Sequence, residues 1–105
     1  MILVLCTTNS KDSAKHIATH LVNNRLAACV NIIPNVLSVY QWKGNVETDE
    51  EFLLLIKTRE VLYEKLEKEI VKLHPYETPE IISFDISKGL PEYLKWAEKE
   101  TNSLF

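Results

Sequence analysis

The sequence has few of the residues that interrupt or cross-link a chain. It contains two glycines, four prolines and two cysteines among 105 residues. So few glycines leave no glycine-rich phosphate loop, and no nucleophile elbow or carboxylate-pair motif is found either. Cys6 and Cys29 both lie in apolar runs, which is typical of reduced, buried thiols rather than of a secreted disulfide framework. No specific class of enzyme is therefore indicated, and we expect a protein without catalytic activity.

Long hydrophobic runs and an excess of positive charge are also missing. The longest apolar runs, at residues 1–6 and 52–56, are far too short to span a membrane. The net charge is −3, and the lysines and arginines are spread among glutamates, so the chain lacks the basic patch of a nucleic-acid-binding protein. We expect a cytoplasmic protein with neither a membrane nor a nucleic acid as its partner.

The order of the apolar patterns along the chain indicates the secondary structure. Runs that are apolar at every position predict buried strands, and apolar residues spaced three and four apart predict helices. The predicted elements are, in chain order, a strand at 2–6, a helix capped by Ser10, a strand at 26–42 broken at Pro34, a turn at 43–45, a returning strand at 46–57, a helix capped by Thr58 and ended by Pro75, a strand at 80–86 and a helix that begins at Pro91.

This order predicts an α+β, ferredoxin-like split βαβ sandwich with a long hairpin and an extra C-terminal helix, in a single domain that spans residues 1–105. Right-handed crossovers place the first strand between the last strand and the returning hairpin strand, and the Pro34 strand at an edge, where proline is tolerated. The first two helices then cover only one sheet face, although the central strands are apolar on both faces. We therefore expect a homo-oligomer in which sheets pack against sheets.

The most informative segment is the loop HPYETPEII at residues 74–82. It holds an imidazole, a phenol and a carboxylate, from His74, Tyr76 and Glu77, on a short stretch that two prolines stiffen. Such a loop resembles a binding site. In the alternative interpretation, His74 only caps a helix C-terminus and Tyr76 is a packing residue.

The predicted topology brings Cys6, at the end of the first strand, to the same sheet edge as His74. A thiolate and an imidazole with the Glu77 carboxylate nearby suit a copper or zinc ion. Cys29 lies on the edge strand, about 10 Å away, so it cannot join them within one subunit. The alternative is that both cysteines are small apolar core residues.

Three aromatic residues extend this prediction to a ligand cleft. Tyr40 and Trp42 lie on the projecting hairpin at the same end of the sheet as Tyr76 and Glu77, and Trp96 follows the last strand. Association of subunits would bring these rings together as the walls of a small-ligand pocket. Alternatively, the rings serve only as interface anchors.

Two further groups are weaker candidates. His16 and His20 have the i, i+4 spacing of a zinc chelate, but they lie opposite the apolar side of their helix, and we expect a solvated polar face. The acidic run at residues 47–51 lacks the pattern of a calcium loop, so a hydrated turn is expected there.

Five stretches carry a resemblance to a known family: RLAACVN at 25–31, SVYQWKG at 38–44, LIKT at 55–58, LHPYETPEI at 73–81 and YLKW at 93–96. In order and spacing they resemble the CutA family of divalent-cation tolerance proteins. The resemblance implies a homotrimer of ferredoxin-like subunits, similar to the PII signal proteins, with hairpins that clasp neighbours. It also implies a link to copper, with metal ligands at Cys6 and His74. Family members with a proposed copper site often have a second histidine where this chain has Leu73, which weakens a three-ligand site.

The sequence is best interpreted as a trimeric divalent-cation tolerance protein that binds a metal ion or a small ligand in clefts between subunits. The alternative is a PII-like signalling or scaffolding trimer without a physiological metal. A third reading, an enzyme with Cys6 as nucleophile and His74 as base, has no oxyanion motif to support it.

Overall fold

The structure, a computed structural model, describes residues 1–101. It contains four strands and three α-helices in the predicted order, so the α+β ferredoxin-like prediction is confirmed. The elements are β1 (Ile2–Thr8), α1 (Lys11–Asn23), β2 (Cys29–Trp42), β3 (Asn45–Thr58), a short 3₁₀ turn (Glu60–Leu62), α2 (Tyr63–Leu73), β4 (Ile81–Asp85) and α3 (Pro91–Glu100).

The four strands form one antiparallel sheet in the order β2-β3-β1-β4. This order places β1 in the interior and the strand that carries Pro34 at an edge, as predicted. The pairing of β2 with β3 shifts register between Ile33 and Val36, and Asn35 adopts a left-handed φ of 62°. Proline cannot donate a ladder hydrogen bond, so a bulge on an edge strand accommodates Pro34 without loss of pairing elsewhere.

One face of the sheet packs against α1 and α2 and forms the core. Val4 and Cys6 of β1 pair with Ile56 and Leu54 of β3, and all four side chains are fully buried. The helices contribute the apolar residues that their spacing predicts, namely Ala14, Ile17 and Leu21 from α1 and Leu66 and Ile70 from α2. Burial of each large aliphatic side chain stabilises the fold by about 1.5–3 kcal/mol.

The opposite face of the sheet, which we call the open sheet face, is apolar as well. Its members alternate with the core residues along each strand: Leu3, Leu5, Leu53, Leu55, Ile82 and Phe84. The two from β4 are 45% and 50% exposed, and the others are half-buried. A contiguous apolar patch of this kind is typical of an interaction surface.

The predicted cap of α1 is confirmed, whereas the predicted cap of α2 is wrong. Ser10 Oγ accepts a hydrogen bond from the Ser13 amide at 3.1 Å. Thr58 instead ends β3, and its buried hydroxyl donates to the Leu26 carbonyl at 2.6 Å. The hydroxyl is thus used to tie β3 to the α1–β2 connection, and α2 begins only at Tyr63, after the 3₁₀ turn.

Strand β2 begins later than predicted because the chain first makes a tight turn after α1. Arg25 adopts a φ of 56°, and the amides of Leu26 and Ala27 both donate to the Leu21 carbonyl, at 2.9 and 3.2 Å. These amides are therefore unavailable to the sheet, and regular pairing starts at Cys29.

The tip of the β2–β3 hairpin is a two-residue turn. Lys43 and Gly44 have φ values of 50° and 83°, and Trp42 pairs with Asn45 across the turn. Two consecutive positive φ angles match the right-handed twist of the flanking strands. The hairpin thus stays paired to its end and holds its aromatic residues in fixed positions.

Candidate ligand cleft

A cleft of about 640 Å³ lies between the β2–β3 hairpin and the loop that joins α2 to β4. Three aromatic residues contribute to its walls: Tyr40, Trp42 and Tyr76. Five acidic residues also line it: Asp49, Glu50, Glu51, Glu77 and Glu80. Its volume lies within the range of about 300–1,000 Å³ that is usual for small-molecule sites.

The loop takes this course because Pro75 ends α2. His74 precedes the proline and has an extended backbone, with φ −76° and ψ 136°, as steric conflict with a following proline requires. Its amide still bonds to the Ile70 carbonyl at 2.8 Å, so the helix ends cleanly there. The chain then turns and brings Tyr76 and Glu77 to the cleft.

His74 fastens this loop to β1. Its Nε2 lies 2.7 Å from the Thr7 carbonyl, and its Nδ1 accepts a hydrogen bond from the Tyr76 amide at 3.1 Å. A carbonyl can only accept, so Nε2 carries the proton and both ring nitrogens are engaged. Burial lowers the pKa of His74, while the Thr7 carbonyl and Glu51 oppose that shift. His74 therefore occupies the C-cap of α2, as the alternative interpretation has it, but its imidazole is neutral and bonds the loop to β1.

The thiol of Cys6 contacts the same carbonyl. It is fully buried, and Sγ lies 3.8 Å from the Thr7 oxygen. Burial, followed by the charges of Glu80 and Glu51, raises the pKa of Cys6 to about 12. The thiol therefore keeps its proton at neutral pH, whereas a metal binds the thiolate.

The arrangement of Cys6 and His74 does not fit a copper or zinc ion as it stands. The thiol is protonated and both imidazole nitrogens are already hydrogen-bonded. Within residues 1–101, no group of three or more His, Cys, Asp or Glu side chains is placed to hold a metal. Leu73 packs against the core, next to His74, and adds no donor. The metal site at Cys6 and His74 thus stays a prediction.

Two phenol–carboxylate pairs shape the cleft. The Tyr76 hydroxyl donates to Glu51 Oε2 at 2.5 Å, and the Tyr40 hydroxyl donates to Asp49. Burial and the bond to Glu51 raise the pKa of Tyr76, and the bond to Asp49 raises the pKa of Tyr40 to about 12. Both phenols therefore remain protonated donors throughout the neutral range.

The buried position of Glu51 contradicts the expected hydrated turn. Only 6% of Glu51 is exposed, because it lies where β3 enters the body of the protein, one residue before the apolar run that starts at Phe52. In the sequence, Glu51 belongs to the same acidic run as the residues of the hairpin tip. The boundary between the acidic and the apolar halves of β3 does not by itself show which carboxylate is buried.

Of the five residues predicted to form a ligand cleft, the structure brings four together in one subunit: Tyr40, Trp42, Tyr76 and Glu77. Trp96 lies elsewhere, on α3, with its ring centroid 5.6 Å from that of Tyr93. No second copy of the chain is needed to form these walls. A role for Trp96 in the cleft stays a prediction.

The two histidines of α1 differ from one another. His16 is exposed, as expected for a solvated face. The same expectation is wrong for His20, because its Nε2 lies 2.8 Å from Glu69 Oε1 of α2. This contact, followed by the bond from Lys72, lowers the pKa of Glu69. The pair links the two helices and leaves no i, i+4 chelate.

The chain is similar, in both sequence and structure, to known proteins of one family. A family model described as "CutA1 divalent ion tolerance protein" matches residues 2–100. The chain is 46% identical over 99 residues to "Divalent-cation tolerance protein CutA" of Thermus thermophilus, covering 94% of this chain and 96% of that protein. The solved structure of the divalent cation tolerance protein CutA1 from Thermus thermophilus superposes with a TM-score of 0.94 at 46% identity, covering 97% of this chain and 100% of that one.

A plant relative is longer than this chain. The sequence is 41% identical over 102 residues to "Protein CutA, chloroplastic" of Arabidopsis thaliana, covering 97% of this chain but 56% of that protein. The chain thus spans about half the length of this relative.

Proposed function

Since the chain belongs to the CutA family of divalent-cation tolerance proteins, we propose that it acts as a homotrimer whose cleft beside the His74 loop binds a divalent cation or a small cationic ligand. The observation that carries this proposal is the composition of the cleft. Five carboxylates line it, and no lysine, arginine or histidine is among its described lining residues. A concave surface of one charge sign concentrates ions of the opposite sign.

The proposed trimer rests on the open sheet face. Ile82 and Phe84 expose about half of their surface on a face that the helices of the core do not cover. The hairpin adds further exposed aliphatic residues near its tip, among them Leu37 and Val46, which are 66% and 65% exposed. Association of three copies through these surfaces would remove them from water, at about 25 cal/mol per Å² of apolar area.

A matched pair of variants tests this interface. Phe84→Asp places a charge on the open sheet face, whereas Val71→Asp places one on the outer side of α2, at nearly equal exposure, 50% against 52%. Sedimentation equilibrium should show that Phe84→Asp dissociates the trimer and that Val71→Asp does not. A folded wild-type monomer in dilute buffer would contradict the proposed assembly.

The proposed ligand of the cleft is tested by calorimetric titration of the wild-type trimer. Copper and zinc are the ions that the sequence indicates, and magnesium and manganese are those that carboxylate and carbonyl oxygens favour. We expect heat from at least one cation, and its loss when Glu51 is replaced by Gln. The alternative, a signalling trimer without a physiological metal, predicts no saturable heat with any of the four ions.

We also propose a non-enzymatic role and a cytoplasmic location. A Cys6 thiol with a pKa of about 12 is poorly suited to nucleophilic catalysis at neutral pH. No helix within residues 1–101 combines the length and the apolar character needed to cross a bilayer. The names of two longer plant relatives, from Arabidopsis thaliana and Oryza sativa, include the chloroplast. Fractionation of cells that express the tagged protein would test the location.

A further inference from the structure

Glu51 is a buried carboxylate that has no cationic partner in the described part of the chain. It is 6% exposed, whereas the other acidic residues of the cleft are exposed. Tyr76 satisfies Oε2. No side-chain hydrogen bond within residues 1–101 reaches Oε1, and since no buried side-chain oxygen among these residues lacks a partner, Oε1 is open to the cleft. None of the salt bridges among these residues includes Glu51. Buried charges are normally paired, so this carboxylate is suited to receive a cation from outside.

The walls next to Glu51 suit an organic cation. Tyr40 and Trp42 line the same cleft and keep 40% and 43% of their surface exposed. Exposed faces of such rings attract ammonium groups. The structure already shows one example, because Lys43 Nζ lies 5.7 Å from the centroid of a Trp42 ring.

The distribution of the charges suits an extended ligand better than a point ion. The five carboxylates are spread around a cleft of about 640 Å³, and no three of them, within the residues described, converge on a position that could hold a metal. A ligand with two or more ammonium groups, joined by an alkyl chain, would meet separate carboxylates at once. Its chain would lie against the aromatic walls.

Building on the function proposed above, we propose that the cleft binds a small organic diamine or polyamine. One ammonium group is bound by Glu51, whose carboxylate is held in place by the Tyr76 hydroxyl. The ammonium donates to Oε1, the oxygen that Tyr76 leaves free. A second ammonium group is bound by Glu77 or Glu80 at the loop side of the cleft. Tyr76 is a positioning residue in this arrangement, because it orients the carboxylate.

Calorimetric titration of the intact wild-type protein with 1,4-diaminobutane, spermidine and 1,4-butanediol tests this proposal. The diol has the length of the diamine without its charge. We expect saturable binding of both amines, tighter for spermidine, weaker at high salt, and no binding of the diol. Glu51→Gln should weaken amine binding by about tenfold or more, since it removes a charge-assisted contact. Glu64→Gln, on the exposed side of α2, is the matched control and should leave binding unchanged.

The outcomes separate this inference from the proposed function. If divalent ions bind through Glu51 and the amines do not, the amine proposal is overturned while the proposed function stands. If neither class binds, both are overturned. If the amines fail to bind and Glu51→Gln disrupts the oligomer, the cation that balances Glu51 comes from a second copy of the chain, and the amine proposal is again overturned. Should Glu51→Gln not fold, the comparison of diamine with diol on the wild-type protein decides.

Discussion

Replacing Tyr76 by Phe isolates the hydrogen bond that holds Glu51. The hydroxyl donates to Glu51 Oε2 at 2.5 Å, and the ring stands edge-on to His74 at a centroid distance of 4.7 Å. Phenylalanine keeps the ring and its packing, so the variant removes the donor alone. A carboxylate that is 6% exposed would then lack its only hydrogen bond from the residues described.

The expected magnitude follows from the charge of the acceptor. Loss of a hydrogen bond to a buried charged group costs about 1.5–3 kcal/mol, so Tyr76→Phe should lower the free energy of unfolding by that amount. Glu51→Gln keeps an acceptor and the side-chain volume, and it removes a negative charge from a cleft that holds four more acidic residues. We therefore expect this second variant to be neutral or stabilising when no ligand is present.

A double-mutant cycle provides the assay. Urea unfolding of wild type, Tyr76→Phe, Glu51→Gln and the double variant is followed by far-ultraviolet circular dichroism at one protein concentration, because unfolding of an oligomer depends on concentration. In the Glu51→Gln background, where the acceptor is uncharged, Tyr76→Phe should lower the free energy of unfolding by only about 0.5–1.5 kcal/mol. Additive effects of the two substitutions, or a Tyr76→Phe cost below about 0.5 kcal/mol, would refute the reasoning.

Three other predictions concern the rest of the molecule. The Cys6→Ser, His74→Ala double variant should bind zinc and copper as wild type does if the metal lies in the acidic cleft, and loss of binding in calorimetry would restore the thiol–imidazole site. Because the Cys6 pKa is about 12 in the folded protein against an ordinary value of 9.0, the folded state keeps a proton that the unfolded state releases. The stabilisation that the protonated thiol provides is complete below pH 9.0 and is lost as pH rises toward 12. Urea midpoints measured with a chelator should therefore be lower at pH 11 than at pH 8. The difference between the two midpoints should be smaller in Cys6→Ala. Ser10→Ala should destabilise the protein by about 1 kcal/mol in the same unfolding assay, and no change would show that the Ser13 amide finds another partner.

Much of the fold could be predicted because its determinants are local or topological. Continuous apolar runs mark β1 and the inner half of β3, and handed connections then allow few arrangements of four strands. The edge position of Pro34 follows from the missing amide hydrogen of proline alone. These arguments need no knowledge of side-chain contacts, and the strand order confirms them.

The predictions from the sequence were wrong where a polar side chain bonds to a residue that is distant in the sequence. Thr58 has the chemistry of a helix cap, but the Leu26 carbonyl, 32 positions away, takes its hydroxyl. His20 was expected to be solvated because it lies opposite the apolar side of α1, but Glu69, 49 positions away on α2, contacts it. Such pairs become visible only once the elements are packed.

The cleft was partly predictable for the same reasons. The prolines at 75 and 79 indicated a stiff loop, and the long hairpin indicated that Tyr40 and Trp42 would project toward it. The burial of Glu51 was not predictable from composition, because an acidic run next to an apolar run does not show how far the sheet extends. The contact of Glu51 with Tyr76, 25 positions away, forms only once the hairpin and the loop are packed.

Native mass spectrometry of the wild-type protein and of Glu51→Gln, with and without ligand, tests the central claim most directly, because it reports the oligomer and its bound cations together. The account predicts a wild-type complex of about 36 kDa, three times the 12.1 kDa chain, that binds as many as three cations or amines. Glu51→Gln should keep the same complex mass and lose the bound species. A 12.1 kDa monomer, or a trimer whose ligand count does not depend on Glu51, would contradict the account.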